Sequence, residues 1–119
     1  MGRYKYITIN DKLKGFPFLR LPRVILQDEQ LSLGAKILYA LMLDRTDWAL
    51  RQKRKRDIDE LKRAHIVYPY GEMCKDLGIT KNTAKKYLAQ LQDAGLVVQQ
   101  VNIGYCHSYY VLVSDDIIH

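Results

Sequence analysis

Cysteine is scarce in this sequence, and long apolar runs are missing. The two cysteines, Cys74 and Cys106, form no CxxC pair, which excludes a zinc-finger pattern and a disulfide framework and favours a reducing, cytoplasmic setting. The longest apolar stretch without a charge covers residues 37–43, far short of the ~20 residues that a membrane-spanning helix needs. The N-terminus also lacks the apolar core of a secretory signal. We therefore expect a cytoplasmic protein without a membrane segment.

Catalytic and metal-binding patterns are missing as well. Cys74 and His107 could be imagined as a nucleophile and its base, but no orienting acid or oxyanion feature accompanies them. His65 and His119 show no metal-ligand spacing such as HxxxH. The sequence therefore predicts no enzyme activity, no cofactor and no metal site.

The charge balance of the chain is basic. Lysine and arginine together number 19, against 13 aspartates and glutamates, which gives a net charge of +6 in 119 residues. Such an excess suits an anionic partner, in the first place nucleic acid and in the second an anionic membrane surface. A hydrophobic content of 48% is enough for one core, and the length fits a single domain over residues 1–119.

The first 22 residues predict an extended N-terminal arm. Residues 4–9 are rich in aromatic and β-branched side chains and are followed by a turn signal, which indicates a strand. Residues 16–22 contain two prolines, which forbid a regular helix, so we expect them to pack as an extended strap.

A long helix should follow the arm. Ser32 can cap a helix over residues 33–44, because its hydroxyl can accept a hydrogen bond from a free amide of the first turn. Residues 46–64 are dominated by charged side chains and predict a basic loop. Within the helix, one apolar stripe is predicted to face the core: Leu33, Ile37, Leu38, Leu41 and Met42.

The second half of the chain contains a helix-turn-helix pattern. A short strand at residues 65–68 precedes a short helix at residues 72–77, which Gly78 should end in a left-handed conformation. Thr80 is then placed to cap a second helix over residues 81–94. The buried face of that helix should consist of Ala84, Tyr87, Leu88 and Leu91.

A β-hairpin should close the domain. Gly95 ends the preceding helix, and β-rich runs at residues 96–101 and 108–113 are joined by a short segment that contains Gly104. The order of these elements is that of a winged helix-turn-helix: long helix, strand, short helix, tight turn, capped helix and hairpin. We therefore predict an α+β fold: a three-helix core with a small antiparallel sheet and wing, and an extended N-terminal arm.

The capped helix is the main candidate for DNA contact. In helix-turn-helix proteins the second helix enters the major groove by its N-terminal end. Asn82 can pair bidentately with adenine, whereas Lys81 and Lys85 can reach guanine acceptors or phosphates. The predicted DNA-binding residues of this helix are Thr80, Lys81, Asn82, Thr83, Lys85 and Lys86.

Two other segments are further candidates for DNA contact. The wing would touch a neighbouring groove or the backbone through Asn102, Tyr105 and His107. A cationic run is either a phosphate-binding loop or a mobile, solvated one, because basic runs without interleaved aromatic residues fix little geometry. This run consists of Arg51, Lys53, Arg54, Lys55 and Arg56.

Six segments of the chain carry a resemblance to a known family: residues 18–22 (FLRLP), 31–45 (LSLGAKILYALMLDR), 77–83 (LGITKNT), 88–91 (LAQL), 95–97 (GLV) and 109–111 (YYV). With these segments the sequence resembles the N-terminal domain of the replication initiator A proteins of plasmids and related mobile elements in Gram-positive bacteria. The first half is similar to the family's apolar-Leu-Pro opening and to its first helix. The second half is similar to its turn, recognition helix and final strand.

This resemblance implies a function and partners. Members bind repeated sites on double-stranded DNA at a replication origin, commonly as dimers, and the N-terminal domain recognises the DNA. Full initiators engage host replication proteins through a C-terminal domain that would lie beyond His119. Residues 51–56 depart from the family pattern, since members usually carry a shorter and less basic loop there.

Two alternative functions fit the same residues. A transcriptional regulator of mobile-element genes would use the same DNA-binding surface but would bind upstream of a promoter. A winged helix that serves as a protein-interaction module would not need Lys81 or Asn82 for affinity to DNA, and would instead associate through apolar residues near residues 4–9.

Overall fold

Four helices and three strands make up the described part of the chain. The computed structural model describes residues 6, 8–10, 19–52, 58–100 and 107–114. The helices are α1 (Arg23–Leu26), α2 (Leu33–Gln52), α3 (Tyr70–Leu77) and α4 (Lys81–Asp93). The strands are β1 (Ile66–Val67), β2 (Val97–Gln99) and β3 (Ser108–Val111). The order α2, β1, α3, α4, β2, β3 is that of a winged helix-turn-helix and confirms the predicted α+β class.

Helix α2 begins where it was predicted but ends about two turns later. The Ser32 hydroxyl accepts a 3.2 Å hydrogen bond from the amide of Ala35, as expected of a capping residue. Beyond the predicted end, Thr46 and Ala49 stay buried on the face of Met42, and Arg51 pairs with Asp47 at 2.7 Å. The predicted basic loop over residues 46–64 is therefore wrong for residues 46–52, because a charged segment remains helical when one face of it still packs on the core.

The buried face of α2 differs from the predicted apolar stripe. Leu33 is 74% exposed and Ile37 is also exposed, whereas Leu38 and Met42 are buried as predicted. The face that packs on the core is completed by small or aromatic residues, among them Ala35 and Tyr39. Small side chains let the neighbouring elements approach closely, so a buried helix face can include alanines that a search for large apolar residues overlooks.

Residues 58–64 form an ordered turn within the predicted basic loop. A bridge pairs Ile58 with Ala64, the amide of Asp59 donates to the carbonyl of Arg63 at 2.9 Å, and the amide of Lys62 donates to the carbonyl of Asp59 at 2.9 Å. Lys62 takes a positive φ of 62° at the tip. No helix or named strand covers these residues, so they remain a loop as predicted, and local hydrogen bonds order it.

The N-terminal arm is described only in part. Residues 1–5, 7 and 11–18 lie outside the described residues, and with them most of the predicted strand and part of the predicted strap. Residues 19–22 have no regular structure and lead into the short helix α1, which the sequence did not predict. The carbonyl of Pro22 accepts the first hydrogen bonds of α1, from Ile25 at 3.0 Å and from Leu26 at 3.1 Å.

The three strands form one antiparallel sheet in the order β1-β3-β2. The predicted hairpin is confirmed, since β2 pairs with β3 in the register Val97↔Val111 and Gln99↔Tyr109. On its other side β3 pairs with β1, with Ile66 opposite Tyr109. The hairpin's tip, residues 101–106, lies outside the described residues.

The hydrophobic core lies where α2, α3, α4 and the sheet meet. The hydroxyl of Tyr39 donates a 2.7 Å hydrogen bond to the carbonyl of Leu112, so its polar end is satisfied in the interior. Burial raises the pKa of this hydroxyl. The largest fully buried side chains belong to Tyr39, Tyr68, Tyr109, Leu38, Met42, Met73, Leu91 and Val97.

Candidate nucleic-acid interface

The turn between α3 and α4 is built as the sequence predicted. Gly78 takes a left-handed conformation with φ 66° and ψ 40°, and its amide donates to the carbonyl of Cys74 at 2.8 Å. Ile79 packs against the core, and the hydroxyl of Thr80 accepts a 3.3 Å hydrogen bond from the amide of Thr83. The helix ends are thus fixed by a glycine that tolerates positive φ and by a side-chain cap.

Helix α4 has one buried and one exposed face. Ala84, Leu88 and Leu91 are buried as predicted, and Tyr87 is half-buried. The hydroxyls of Thr80 and Thr83 lie 3.0 Å apart and form a hydrogen bond with each other. The residues that the first two turns leave exposed are Lys81, Asn82, Lys85 and Lys86.

The charges of α4 run against its macrodipole. Lys81 is the first helical residue, no acidic residue lies in the first turn, and no basic residue lies in the last turn, where Asp93 ends the helix. Because the N-terminus of a helix carries a partial positive charge, cations there are unfavourable. The lysines at the N-terminal end of α4 therefore lower the stability of the isolated domain. An anion bound at this end would interact favourably both with the lysines and with the helix dipole.

Tyr70 links this exposed face to the base of the wing. The ammonium groups of Lys81 and Lys85 lie 5.8 Å and 5.7 Å from the centroid of the Tyr70 ring. The rings of Tyr70 and His107 meet edge to face, with centroids 5.1 Å apart and an interplanar angle of 78°. Two lysines of the helix and one residue of the wing thus surround a single ring.

The position of α4 is set by close contact with the start of α2. A Cβ atom added at Gly34 would overlap the ring of Tyr87, so glycine leaves the space that this ring occupies between the two helices. The amide of Ser32 also donates a 2.9 Å hydrogen bond to the side-chain oxygen of Gln90. These contacts hold the inner face of α4 while its outer face stays exposed.

Arg45 fastens α3 to α2 and β1. Its guanidinium lies 4.0 Å from the centroid of the Tyr68 ring, forms an ion pair with Glu72 at 2.8 Å and donates to the carbonyl of Val67 at 3.2 Å. The hydroxyl of Tyr68 in turn donates to Asp76 at 2.6 Å, and burial together with this hydrogen bond raises its pKa. The first helix of the motif is therefore a fixed support for the second.

Comparison with known proteins identifies the family. Residues 17–115 match the family described as "Replication initiator protein A (RepA) N-terminus". The chain belongs to this family. No curated protein matches the sequence.

Three solved structures share the fold of this RepA N-terminal domain, each with a TM-score of 0.66. One is described as an "MDR initiator", at 23% identity over 82% of this chain and 77% of the other. A second is described as a "Rep-DNA complex", at 21% identity over 92% and 84%. A third is described as the "N-Terminal domain of DNA binding protein", at 21% identity over 95% and 88%. At such identities the likeness concerns the fold.

The predicted site residues of the RepA domain fall into three groups. The residues of α4 and its cap lie together on one surface. His107 lies next to this surface, because its ring packs on Tyr70, which also faces Lys81 and Lys85. Arg51 belongs to α2, where it pairs with Asp47 and its side chain is 64% exposed. The remaining ones lie outside the described residues: Lys53, Arg54, Lys55, Arg56, Asn102 and Tyr105.

Sequence reasoning missed Tyr70. The sequence predicted that this helix begins at residue 72, whereas α3 begins two residues earlier, at Tyr70. Nothing in the local pattern connects Tyr70 with residues that lie far along the chain. Among the described residues, no group of His, Cys, Asp or Glu could hold a metal ion, and no helix is both long and apolar enough to span a bilayer.

Proposed function

We propose that this RepA N-terminal domain binds double-stranded DNA by placing the first two turns of α4 in the major groove. The observation that carries the proposal is the division of α4 into two faces: Leu88 and Leu91 are buried, while Lys81, Asn82 and Lys85 are exposed together. A duplex can therefore approach the N-terminal end of the helix without displacing core residues. The net charge of +6 favours the approach of a polyanion.

Specific contacts would divide between bases and backbone. The side-chain amide of Asn82 can form two hydrogen bonds with the N6 and N7 atoms of adenine. The lysines can donate hydrogen bonds to guanine acceptors or to phosphates. His107, at the base of the wing, would contact the DNA backbone beside the groove. Membership of the family supports this assignment, as do similar folds described as a Rep-DNA complex and as a DNA-binding domain.

The target that best suits the family is a set of repeated sites at the replication origin of a plasmid or related mobile element. We infer that the domain acts there in the cytoplasm as a homodimer, because two copies would present two α4 helices to repeated half-sites. Host replication proteins would be engaged through a further domain of the initiator. The domain itself would act by binding, without catalysis.

Selection of bound duplexes from a random pool, followed by footprinting on the DNA of the same element, tests the proposal. A single repeated motif should emerge and should lie at the origin rather than upstream of a promoter. Asn82→Ala should then cost ~1–3 kcal/mol at one base position, whereas Lys85→Ala should lower the salt dependence by about one unit.

A matched control is available in the same motif. Lys75 is exposed in the last turn of α3, so Lys75→Ala removes the same charge from a helix end where a cation is favourable. We expect it to leave the affinity for DNA and its salt dependence nearly unchanged. If Lys75→Ala and Lys85→Ala weakened binding equally for every sequence, the attraction would be nonspecific and the proposed recognition surface would be wrong.

A further inference from the structure

Tyr70 is held firmly enough to position its neighbours. It is the first residue of α3, directly after Pro69, whose φ is −64°, and its ring is partly buried against the hydrophobic core. A proline before the first helical residue restricts the backbone that leads into the helix. The ring is therefore anchored on the supporting helix, whereas the lysines that face it belong to the recognition helix.

The two lysines need such a neighbour. Lys81 and Lys85 are four residues apart on α4, so their charges repel each other, and Lys81 also faces the positive end of the helix dipole. Each ammonium lies within the ~6 Å range in which the face of an aromatic ring attracts a cation. The ring thus favours one common arrangement of two side chains that would otherwise spread apart.

The same ring reaches the wing. His107 packs edge to face on Tyr70, and the carbonyl of His107 accepts a 2.8 Å hydrogen bond from the amide of Tyr68. The Nδ1 atom of His107 is buried without a hydrogen-bond partner among the described residues. The His107 ring is thus placed by packing on Tyr70 rather than by a side-chain hydrogen bond through that atom.

We propose that Tyr70 is a positioning residue for DNA binding: its ring holds the ammonium groups of Lys81 and Lys85 and the base of the wing in one arrangement, so that helix and wing meet the phosphates of one duplex together. This inference rests on the proposed DNA binding and names a residue through which it is organised. Tyr70 acts through the lysines and His107, and its own hydroxyl is not required.

Binding measurements on the full chain test this role with a duplex recovered by the random-pool selection. Tyr70→Leu should weaken binding by about tenfold, whereas Tyr70→Phe, which keeps the ring, should bind like the wild type. In a Lys81→Gln/Lys85→Gln background, Tyr70→Leu should weaken binding much less. A loss with Tyr70→Phe equal to that with Tyr70→Leu, or an equal loss in both backgrounds, would overturn the inference.

A measurement without DNA separates this inference from the proposed function. The ring current of Tyr70 should shift the Cε protons of Lys81 and Lys85 upfield in the NMR spectrum of the wild type and of Tyr70→Phe. These shifts should vanish in Tyr70→Leu while the backbone amide spectrum of the core is retained. Unshifted protons in the wild type would contradict the positioning role alone, whereas shifted protons in a chain that binds no duplex would contradict the proposed function.

Discussion

The hydroxyl of Tyr110 on β3 donates a 2.9 Å hydrogen bond to the carboxylate of Asp59, 51 residues earlier in the chain. The same carboxylate accepts hydrogen bonds from the amide of Leu61 at 2.9 Å, the amide of Arg63 at 2.8 Å and the Nε of Arg63 at 2.8 Å. The guanidinium of Arg63 lies 4.8 Å from the centroid of the Tyr110 ring. Asp59 thus joins the turn at residues 58–64 to the sheet from which the wing extends.

We expect the contribution of Asp59 to stability to depend on pH. Desolvation alone would raise its pKa, but the hydrogen bonds from Arg63 and Tyr110 and the charge of Arg63 outweigh it and lower the pKa from 3.8 to about 2. Because the folded form holds the proton less tightly than the unfolded form, the stabilisation is complete above about pH 4 and disappears as the pH falls through about 2.

Asp59→Asn tests this dependence. Urea unfolding should show the variant to be less stable than the wild type at pH 7, with a difference that shrinks between pH 4 and pH 2. Tyr110→Phe is the matched partial variant: it removes one of the hydrogen bonds that lower the pKa and leaves the carboxylate with Arg63, so its pH dependence should be smaller. A difference for Asp59→Asn that is the same at pH 2 and pH 7 would show that charge plays no part in this contact.

Asn82→Glu should stabilise the domain while abolishing its affinity for DNA. A carboxylate in the first turn of α4 complements the helix dipole, and we expect a gain of ~0.3–1 kcal/mol in the free energy of unfolding at low salt. The same charge would repel phosphates at the proposed site. Asn82→Gln changes the side chain without adding charge and should give no salt-dependent gain. Thermal unfolding at two salt concentrations and a duplex-binding titration measure both effects.

Gly34→Ala should destabilise the domain by ~1–3 kcal/mol, the usual cost of overpacking. Its Cβ would overlap the Tyr87 ring, so the ring or the whole of α4 would have to move. Gly71→Ala in α3 is the control, because a Cβ there meets nothing within 4 Å, and it should be neutral or stabilising by up to ~1 kcal/mol. Tyr87→Leu should relieve the defect of Gly34→Ala, as measured by denaturant unfolding of the single and double variants. If no such relief occurred, the loss would not come from overlap with the Tyr87 ring.

Gly78→Ala should cost ~1–2 kcal/mol, because an L side chain is disfavoured at the left-handed φ of 66° in the turn. No neighbouring atom would be struck, since a Cβ at this position meets nothing within 4 Å. Gly78→Asn should therefore cost less, since asparagine tolerates this conformation better than alanine. Chemical unfolding of the two variants compares them, and equal losses would mean that the backbone conformation is not what glycine provides here.

The sequence predicted the helix-turn-helix more accurately than α2. The turn depends on Gly78 and Thr80, whose preferences for a left-handed backbone and for capping act within a few residues. The last two turns of α2 pack on the core through Thr46 and Ala49. Neither residue type by itself predicts burial, because elements far along the chain decide which side of the helix is covered. The proposed DNA contacts of Asn82 and the lysines, and the role assigned to residues 53–56, remain predictions.

The sequence by itself determined the order of the elements from α2 to β3, the two helix boundaries at the turn and membership of the replication initiator A family, because these follow from local backbone preferences and from short motifs. Only the tertiary structure decided that Tyr70 faces Lys81, Lys85 and His107, and that Asp59 is bound by Tyr110. Such contacts join residues that are distant in the chain, so they form only when the packing of the core fixes the relative positions of helices and sheet.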